Sequence, residues 1–428
     1  MLKFGNTYLN FGGNYLSGFK VPTYNVILQQ SEGGIIGATP LTGSKNTEVT
    51  LSNTPSQDYV FNGYEISGAN LYDTNKFKFV DCDVTAIGNW TYVDPYNPYN
   101  LPPFTIRVRT TNGLPPYNYE YYNPTYDARL VEGTSDVYDV YLTGGSYYGA
   151  ANENLDRAFY RSSNICEVIA ANVSGVSSMK AMFHSCYALS SVCLFDTSNV
   201  TSFSCMFDNC SGLSSVPKYD TSKATNLNLM FADCSHITDI PSFNTSGVTS
   251  TSGMFYNCLR ITELPYLDTS KVTDMGNMFQ GCRSITEVPL YDTSNVTFMK
   301  KIFQSCYSLT SAPNFDTSKV ANMDNMFYEC SGLSSIPQYD TNSLTSMEYI
   351  CLNCVNLTSI PFFDTKRVQY LDYAFENCYR VNQGIFALYN YTTAHGMPNP
   401  SHQGTFRKCG ISSTSGAAEL AQIPSNWK

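Results

Sequence analysis

The sequence predicts an α/β solenoid of 24-residue coils with short parallel strands and helices, preceded by a small all-β N-terminal domain. Three observations carry this. Cysteines fall at Cys186, Cys210, Cys234, Cys258, Cys282, Cys306, Cys330, Cys354 and Cys378, each 24 residues after the last, with no insertion between them. A phenylalanine keeps step three residues earlier at Phe183, Phe207, Phe231, Phe255, Phe279, Phe303, Phe327 and Phe375, and only Cys351 breaks that column. The unit reads close to V-T-x-M-x-x-M-F-x-x-C-x-x-L-T-x-V-P-x-[FY]-D-T-S-x, and a fixed period in this range is the signature of a stacked array.

Five segments follow in chain order. Residues 1–20 repeat weakly, FGNTYL then FGGNYL, with Gly and Asn between aromatics. So short an apolar set cannot bury a core alone, so the segment is expected to dock on another surface through Phe4, Tyr8, Phe11 and Tyr15. It has no basic region, no run of seven apolar residues and no A-x-A-like cleavage site, which leads to the expectation of export by a route other than standard secretion. Residues 21–92 alternate apolar and polar in NVILQQ, TEVTLSN and FNGYEI between turn-rich stretches, the pattern of a small all-β domain. Residues 93–150 are rich in Tyr and Pro, with two strands expected at FTIRVRT and VYDVYLT that cover the open end of the solenoid.

The solenoid itself spans residues 151–384. In one coil, Val296, Met299, Ile302, Phe303 and Cys306 recur at helical spacing, with Asp292 placed to cap a helix. Leu309 and Ala312 flank a short strand that Pro313 ends. Residues 385–428 form a C-terminal cap, in which FRKC at 406–409 repeats the MFxxC motif after 31 residues instead of 24. The seven extra residues are expected in the loop around HGMPNPSHQ, and the tail is expected to supply a short helix and a strand-like end.

Charge and composition exclude some partners. With 25 Lys and Arg against 35 Asp and Glu and no basic cluster, the attraction that drives nucleic-acid or anionic-membrane binding is missing. No stretch approaches the roughly 18 apolar residues of a membrane span. The cysteine column reads as buried thiols, because a bridge needs a dihedral that a regular ladder disfavours. Cys351 and Cys354 form a CxxC, but no second pair stands at zinc-finger spacing. The Asp column at Asp196, Asp220, Asp268, Asp292, Asp316, Asp340 and Asp364 has calcium-type oxygens, yet capping accounts for it, and Asn244 fills the same place. No phosphate loop or nucleophile with a local base is present. The expectation is therefore a non-enzymatic chain with no cofactor and no metal. One aromatic column, Tyr219, Phe243, Tyr291, Phe315, Tyr339 and Phe363 among its members, stands just before the Asp or Asn and is the candidate platform for a glycan or protein.

Two resemblances add to this. GGIIGATP at 33–40, TEVTL at 47–51 and DYVFNGY at 58–64, ending at Trp90, resemble the internalin-type B repeat, with Tyr64 where that family commonly has Trp. The resemblance implies a spacer or adhesion module. From residue 152 to 381 the units resemble the BspA-like leucine-rich repeats: Asp316 to Ser318, Val320, Met323, Met326, Phe327, Cys330 and Leu333 follow that pattern without a gap. This implies a leucine-rich-repeat-like fold and a surface-exposed recognition protein of bacteria or of their viruses. Where that family often has Leu-Asp-Leu, this chain has Val216-Pro217 or Ile336-Pro337, which bears on strand length. The expected role is a phage tail or head fibre component on the virion surface, joined to other virion proteins by its N-terminus and binding a bacterial surface glycan or protein. A homo-oligomer is compatible with it. The alternative is a bacterial cell-surface adhesin or lipoprotein.

Overall fold

The computed structural model describes residues 2–4, 7–9, 15–16, 19–20, 23–29, 34–55, 59–71, 74–79, 82–92, 101, 104–116, 127–142, 154–395 and 400–428. The chain divides into two compact units, Met1–Pro98 and Tyr99–Lys428. In the first, β1 (Leu2–Phe4) pairs antiparallel with β2 (Thr7–Leu9), and β3 (Tyr15–Leu16) with β4 (Phe19–Lys20). A four-stranded sheet follows the order β7 (Thr42–Gly43), β5 (Tyr24–Gln29), β11 (Val84–Tyr92), β9 (Tyr59–Ser67). A three-stranded antiparallel sheet has β8 (Glu48–Pro55) between β10 (Lys76–Lys78) and β6 (Gly34–Thr39). Alternating inward residues Val26, Ile36, Val49, Leu51, Phe77, Phe79, Val84 and Ala86 make its core.

The second unit opens with the strands expected to close the solenoid. β12 (Thr105–Thr110) pairs with β14 (Val137–Tyr141), which pairs with β13 (Asp127–Leu130). On its other edge β12 pairs antiparallel with β15 (Ile165–Asn172), so the connector joins the first coil's sheet. Ile106, Val108 and Val140 are fully buried in the same cluster as the coil residues. Arg107 reaches Asp139 at 2.6 Å beside them.

The coils hold no helix, which corrects the expectation of one helix per coil. The segment before each cysteine is a run of tight turns. Taking one coil, Met182, His184 and Cys186 close turns onto Met179, Ala181 and Phe183, while Met179, Ala181, Phe183 and Ser185 donate their N–H groups to the coil that follows. Ala181 (φ 53°) and Ser185 (φ 59°) are left-handed, and the same two positions recur through the array. A left-handed residue every fourth position stops a helix. The backbone exchanges internal bonds for bonds between coils. Residues i, i+3, i+4 and i+7 face inward in either geometry, so apolar spacing alone does not separate the two.

The column of Asp residues serves turns as well. Asp196, Asp220, Asp268, Asp292 and Asp316 each accept the N–H of the Ser two residues on, at 2.9–3.1 Å, and Asn244 does the same at 3.2 Å. These are Asx turns, not helix caps. The next residue explains the rest of the D-T-S motif: buried Thr197, Thr221, Thr245, Thr269 and Thr317 donate Oγ1–H to a carbonyl of the following coil at 2.7–2.8 Å.

The strand of each coil shrinks where Pro stands. β15 pairs in parallel with β16 (Ser191–Val192) over two residues, and there Cys193 occupies the Pro position and donates its N–H to Val168 at 2.9 Å. Seven later coils carry Pro217, Pro241, Pro265, Pro289, Pro313, Pro337 and Pro361, which lack that donor. Only isolated parallel bridges such as Ser311↔Ser335 remain there.

The cysteine column is the spine. Each Sγ from Cys186 to Cys354 donates to the carbonyl of the Phe 27 residues earlier at 3.0–3.2 Å, and Cys378 does so to Cys351. A thiol here fills a small apolar site and satisfies a buried carbonyl at once. All fifteen cysteines are free. In the column, burial pushes the thiols up, Cys282 to about 12, so at neutral pH the spine holds almost no reactive thiolate. In the native protein a thiol-specific disulfide reagent is expected to label Cys82 quickly, Cys166, Cys193 and Cys205 slowly, and the eleven buried thiols only after denaturation. Rapid native labelling of all fifteen contradicts the buried spine.

The last coil is closed by two helices. α1 (Ile385–His395) precedes the loop in which the sequence placed the seven extra residues, ending on its first residue, His395, and enters at Gly384 (φ 98°), where a Cβ would lie 2.2 Å from the Ile360 carbonyl oxygen. α2 (Thr414–Ala421) is capped by Ser413, and Trp427 accepts from Phe406 N–H at 2.9 Å. The chain end is a 3-10 turn at Ser425–Trp427, not a strand.

Candidate functional site

The aromatic column expected to form a binding platform lies inside the stack, and this corrects the candidate site. Tyr219, Phe243, Tyr291, Phe315, Tyr339 and Phe363 are all buried, at 1–5 % exposure. Their rings lie against the Phe column: Tyr291 stacks on Phe279 at 6.1 Å and Phe315 on Phe303 at 6.0 Å. The tyrosine hydroxyls reach back one coil, Tyr219 to Cys193, Tyr291 to Pro265 and Tyr339 to Pro313, at 2.9–3.1 Å. They satisfy the carbonyls that the thin strand leaves free. Of the docking residues, Phe4, Tyr8 and Tyr15 belong to short strands, while their side chains and the whole of Phe11 lie outside the described residues.

The exposed residues stand one position earlier. That column reads Leu194, Lys218, Ser242, Tyr266, Leu290, Asn314, Gln338 and Phe362. Its largest apolar members project: Tyr266 is 70 % exposed and Leu290 71 %, in adjacent coils. Phe362 is half-exposed and rests edge-on against Tyr391 of α1 at 4.7 Å. The signal was in the sequence, since the buried column stays almost wholly aromatic from coil to coil whereas this one changes residue at every step.

The same two coils differ in backbone. From Cys186 to Cys378, the residue three after each cysteine closes a turn onto it, except Ile261 and Ile285. Thr262 and Thr286 also make no bond to the preceding coil, although Thr310, Ser334, Thr358 and Asn382 do. Ser214 omits the second bond, but Leu213 keeps the first. Beside these threonines run three exposed carboxylates, Asp239, Glu263 and Glu287, in successive coils. The column elsewhere holds Ser191, Ser215, Ser311, Ser335, Ser359 and Gln383. Like charges facing each other across neighbouring strands oppose their pairing. Among the described residues, no Lys or Arg pairs with any of the three.

Other carboxylates on the stack have structural partners. Asp324 accepts the Ser346 hydroxyl and the Glu348 N–H, with Lys300 at 3.5 Å. Glu348 sits beside them with its pKa raised, first by desolvation and then by the charges of Asp324 and Asp372. Among the described residues, no group of three or more His, Cys, Asp or Glu is placed to hold a metal ion, and no helix is long and apolar enough to cross a membrane.

The second unit is thus a repeat protein whose coils share one core and differ in their outward side chains. A family described as a Mycoplasma protein of unknown function, DUF285, matches residues 153–265, 236–333, 261–359 and 310–401. These overlapping matches span more than half of the chain, and the chain belongs to that family. No curated protein matches it. Among solved structures, a leucine-rich repeat protein from Eubacterium ventriosum is similar at 17 % identity over 57 % of this chain and 85 % of its own, with a TM-score of 0.32.

Proposed function

We propose that the chain is a non-enzymatic structural and recognition protein that displays its coil stack to a bacterial surface. The observation that carries this is the division of labour within each coil. Repeated Phe, Met, Cys, Thr and Asp side chains are consumed by packing and turn closure, which leaves the varied outward columns as the part that differs along the stack. The resemblance of the units to BspA-like repeats supports the same reading. We place the protein on a phage particle, as a tail or head fibre component held through residues 1–20, whose near-repeated FGNTYL and FGGNYL suit insertion into a partner protein. Its target is a glycan or protein of the bacterial surface. A second reading, a bacterial cell-surface adhesin, is favoured by the family's description as a Mycoplasma protein.

Two measurements separate these. Mass spectrometry of purified virions detects the chain if it is a fibre component, and fractionation of the bacterium finds it in the cell envelope if it is an adhesin. The purified, labelled chain is expected to bind host cells with or without residues 1–20. No binding to any cell of a panel of bacteria overturns the recognition role.

A further inference from the structure

We infer that the surface around Tyr266 and Leu290 docks an extended polypeptide segment in which Lys or Arg alternates with apolar side chains. This rests on the reading of the chain as a recognition protein and specifies its partner. Three observations meet in two adjacent coils. Tyr266 and Leu290 are the most exposed large apolar residues among those described, and Leu264 and Val288, two positions earlier, are only partly buried. Burying such side chains under a partner removes apolar surface from water and favours binding. Beside them Asp239, Glu263 and Glu287 repeat a negative charge at the coil spacing, without a cationic partner among the described residues. Neighbouring coils set equivalent residues about 4.8 Å apart, so the charges fall well within one Debye length of roughly 8 Å.

That spacing selects the partner. Unneutralised like charges this close repel each other and disfavour an anionic ligand, while a neutral glycan would leave the carboxylates uncompensated. A basic segment relieves the repulsion and brings apolar side chains onto Tyr266 and Leu290. An extended chain laid along the stack between the two columns also matches, because successive side chains point to opposite faces, the cationic ones toward the acidic column and the apolar ones toward Tyr266 and Leu290. Complementary charge across an interface sets which partner is accepted and how fast it arrives.

The test is a fluorescence-anisotropy titration of the full chain with a labelled decapeptide of alternating Lys and Leu. A peptide of alternating Glu and Leu and a neutral hexasaccharide serve as comparison ligands. The Lys-Leu peptide is expected to bind, and to bind more weakly as salt rises. Glu263→Lys with Glu287→Lys is expected to weaken it about tenfold or more, as is Tyr266→Ala with Leu290→Ala. Glu65→Lys with Glu132→Lys makes the same change in net charge at exposed sites elsewhere and is expected to leave affinity within about twofold. Melting curves of each variant establish that the fold is kept.

Equal loss in both charge-reversed variants means attraction to overall charge and overturns the inference. So does binding of the saccharide or the Glu-Leu peptide that depends on Tyr266 and Leu290. Concentration-dependent self-association abolished by Tyr266→Ala identifies a second copy as the occupant and also overturns it. Failure of the peptide with cell binding intact rejects this partner alone; failure of both rejects the recognition role.

Discussion

Removal of residues 283–306 is expected to leave a folded, shorter stack, whereas removal of 283–294 is expected to unfold it. The first deletion takes out one full period, so Cys282 is followed by Tyr307 in the place of Arg283. Every bond that ran from one coil to the next finds an equivalent carbonyl: Phe279, which bonds Ile302, would meet Met326, the partner of Phe303. The half-period deletion sets inward Phe and Cys positions against outward ones. No coil compensates for that alone, because neighbouring coils cover its apolar face. Circular dichroism and limited proteolysis of the two proteins check it. Equal tolerance of both deletions contradicts the register.

The substitution Phe279→Ala is expected to cost about 3–5 kcal/mol, against no more than about 0.5 kcal/mol for Tyr266→Ala. Phe279 is fully buried, stacked between Phe255 at 5.9 Å and Phe303 at 5.8 Å, with Tyr291 alongside. Loss of its ring opens a void in the continuous Phe column, and the coils above and below cannot close onto it without giving up their hydrogen bonds. Tyr266 projects into solvent and leaves no void. Urea unfolding of the stack, followed by tyrosine fluorescence, compares the two. Similar midpoints would mean that the Phe column is not the core.

How much of this was legible follows from what a repeat reports. The period, the inward set and the buried thiols were readable from Phe279, Cys282 and their equivalents, since an invariant apolar column can only face the shared core. The backbone was not. Helical spacing at Met299, Ile302, Phe303 and Cys306 fits a helix and a run of turns equally well, and the choice is made by left-handed residues such as Lys301 (φ 60°) and Ser305 (φ 59°). Neither residue type announces that conformation. Other coils carry Asn257, Asn277, Asn325, Asn353 and Asn377 there, a type that tolerates it, and that recurrence was the available clue.

The outward-facing column was misjudged by one residue for a similar reason. Tyr219, Tyr291 and Tyr339 look like surface residues because of their hydroxyls, but those hydroxyls are bonded to carbonyls of the preceding coil. An aromatic residue kept in nearly every coil, with Leu267 as the exception, marks a packing role. Tyr266 and Leu290, where the column changes character, mark the surface.

Far-UV circular dichroism of the full chain tests the central claim, that the coils are stacked turns tied by bonds between coils, most directly. Among the described residues, α-helix is confined to Ile385–His395 and Thr414–Ala421. A stack of turns predicts a spectrum without the paired minima near 208 and 222 nm and a helical fraction below about one tenth, well under the 30–35 % of an average globular protein. A helical fraction near one third, the amount that one helix in every coil would add, contradicts it.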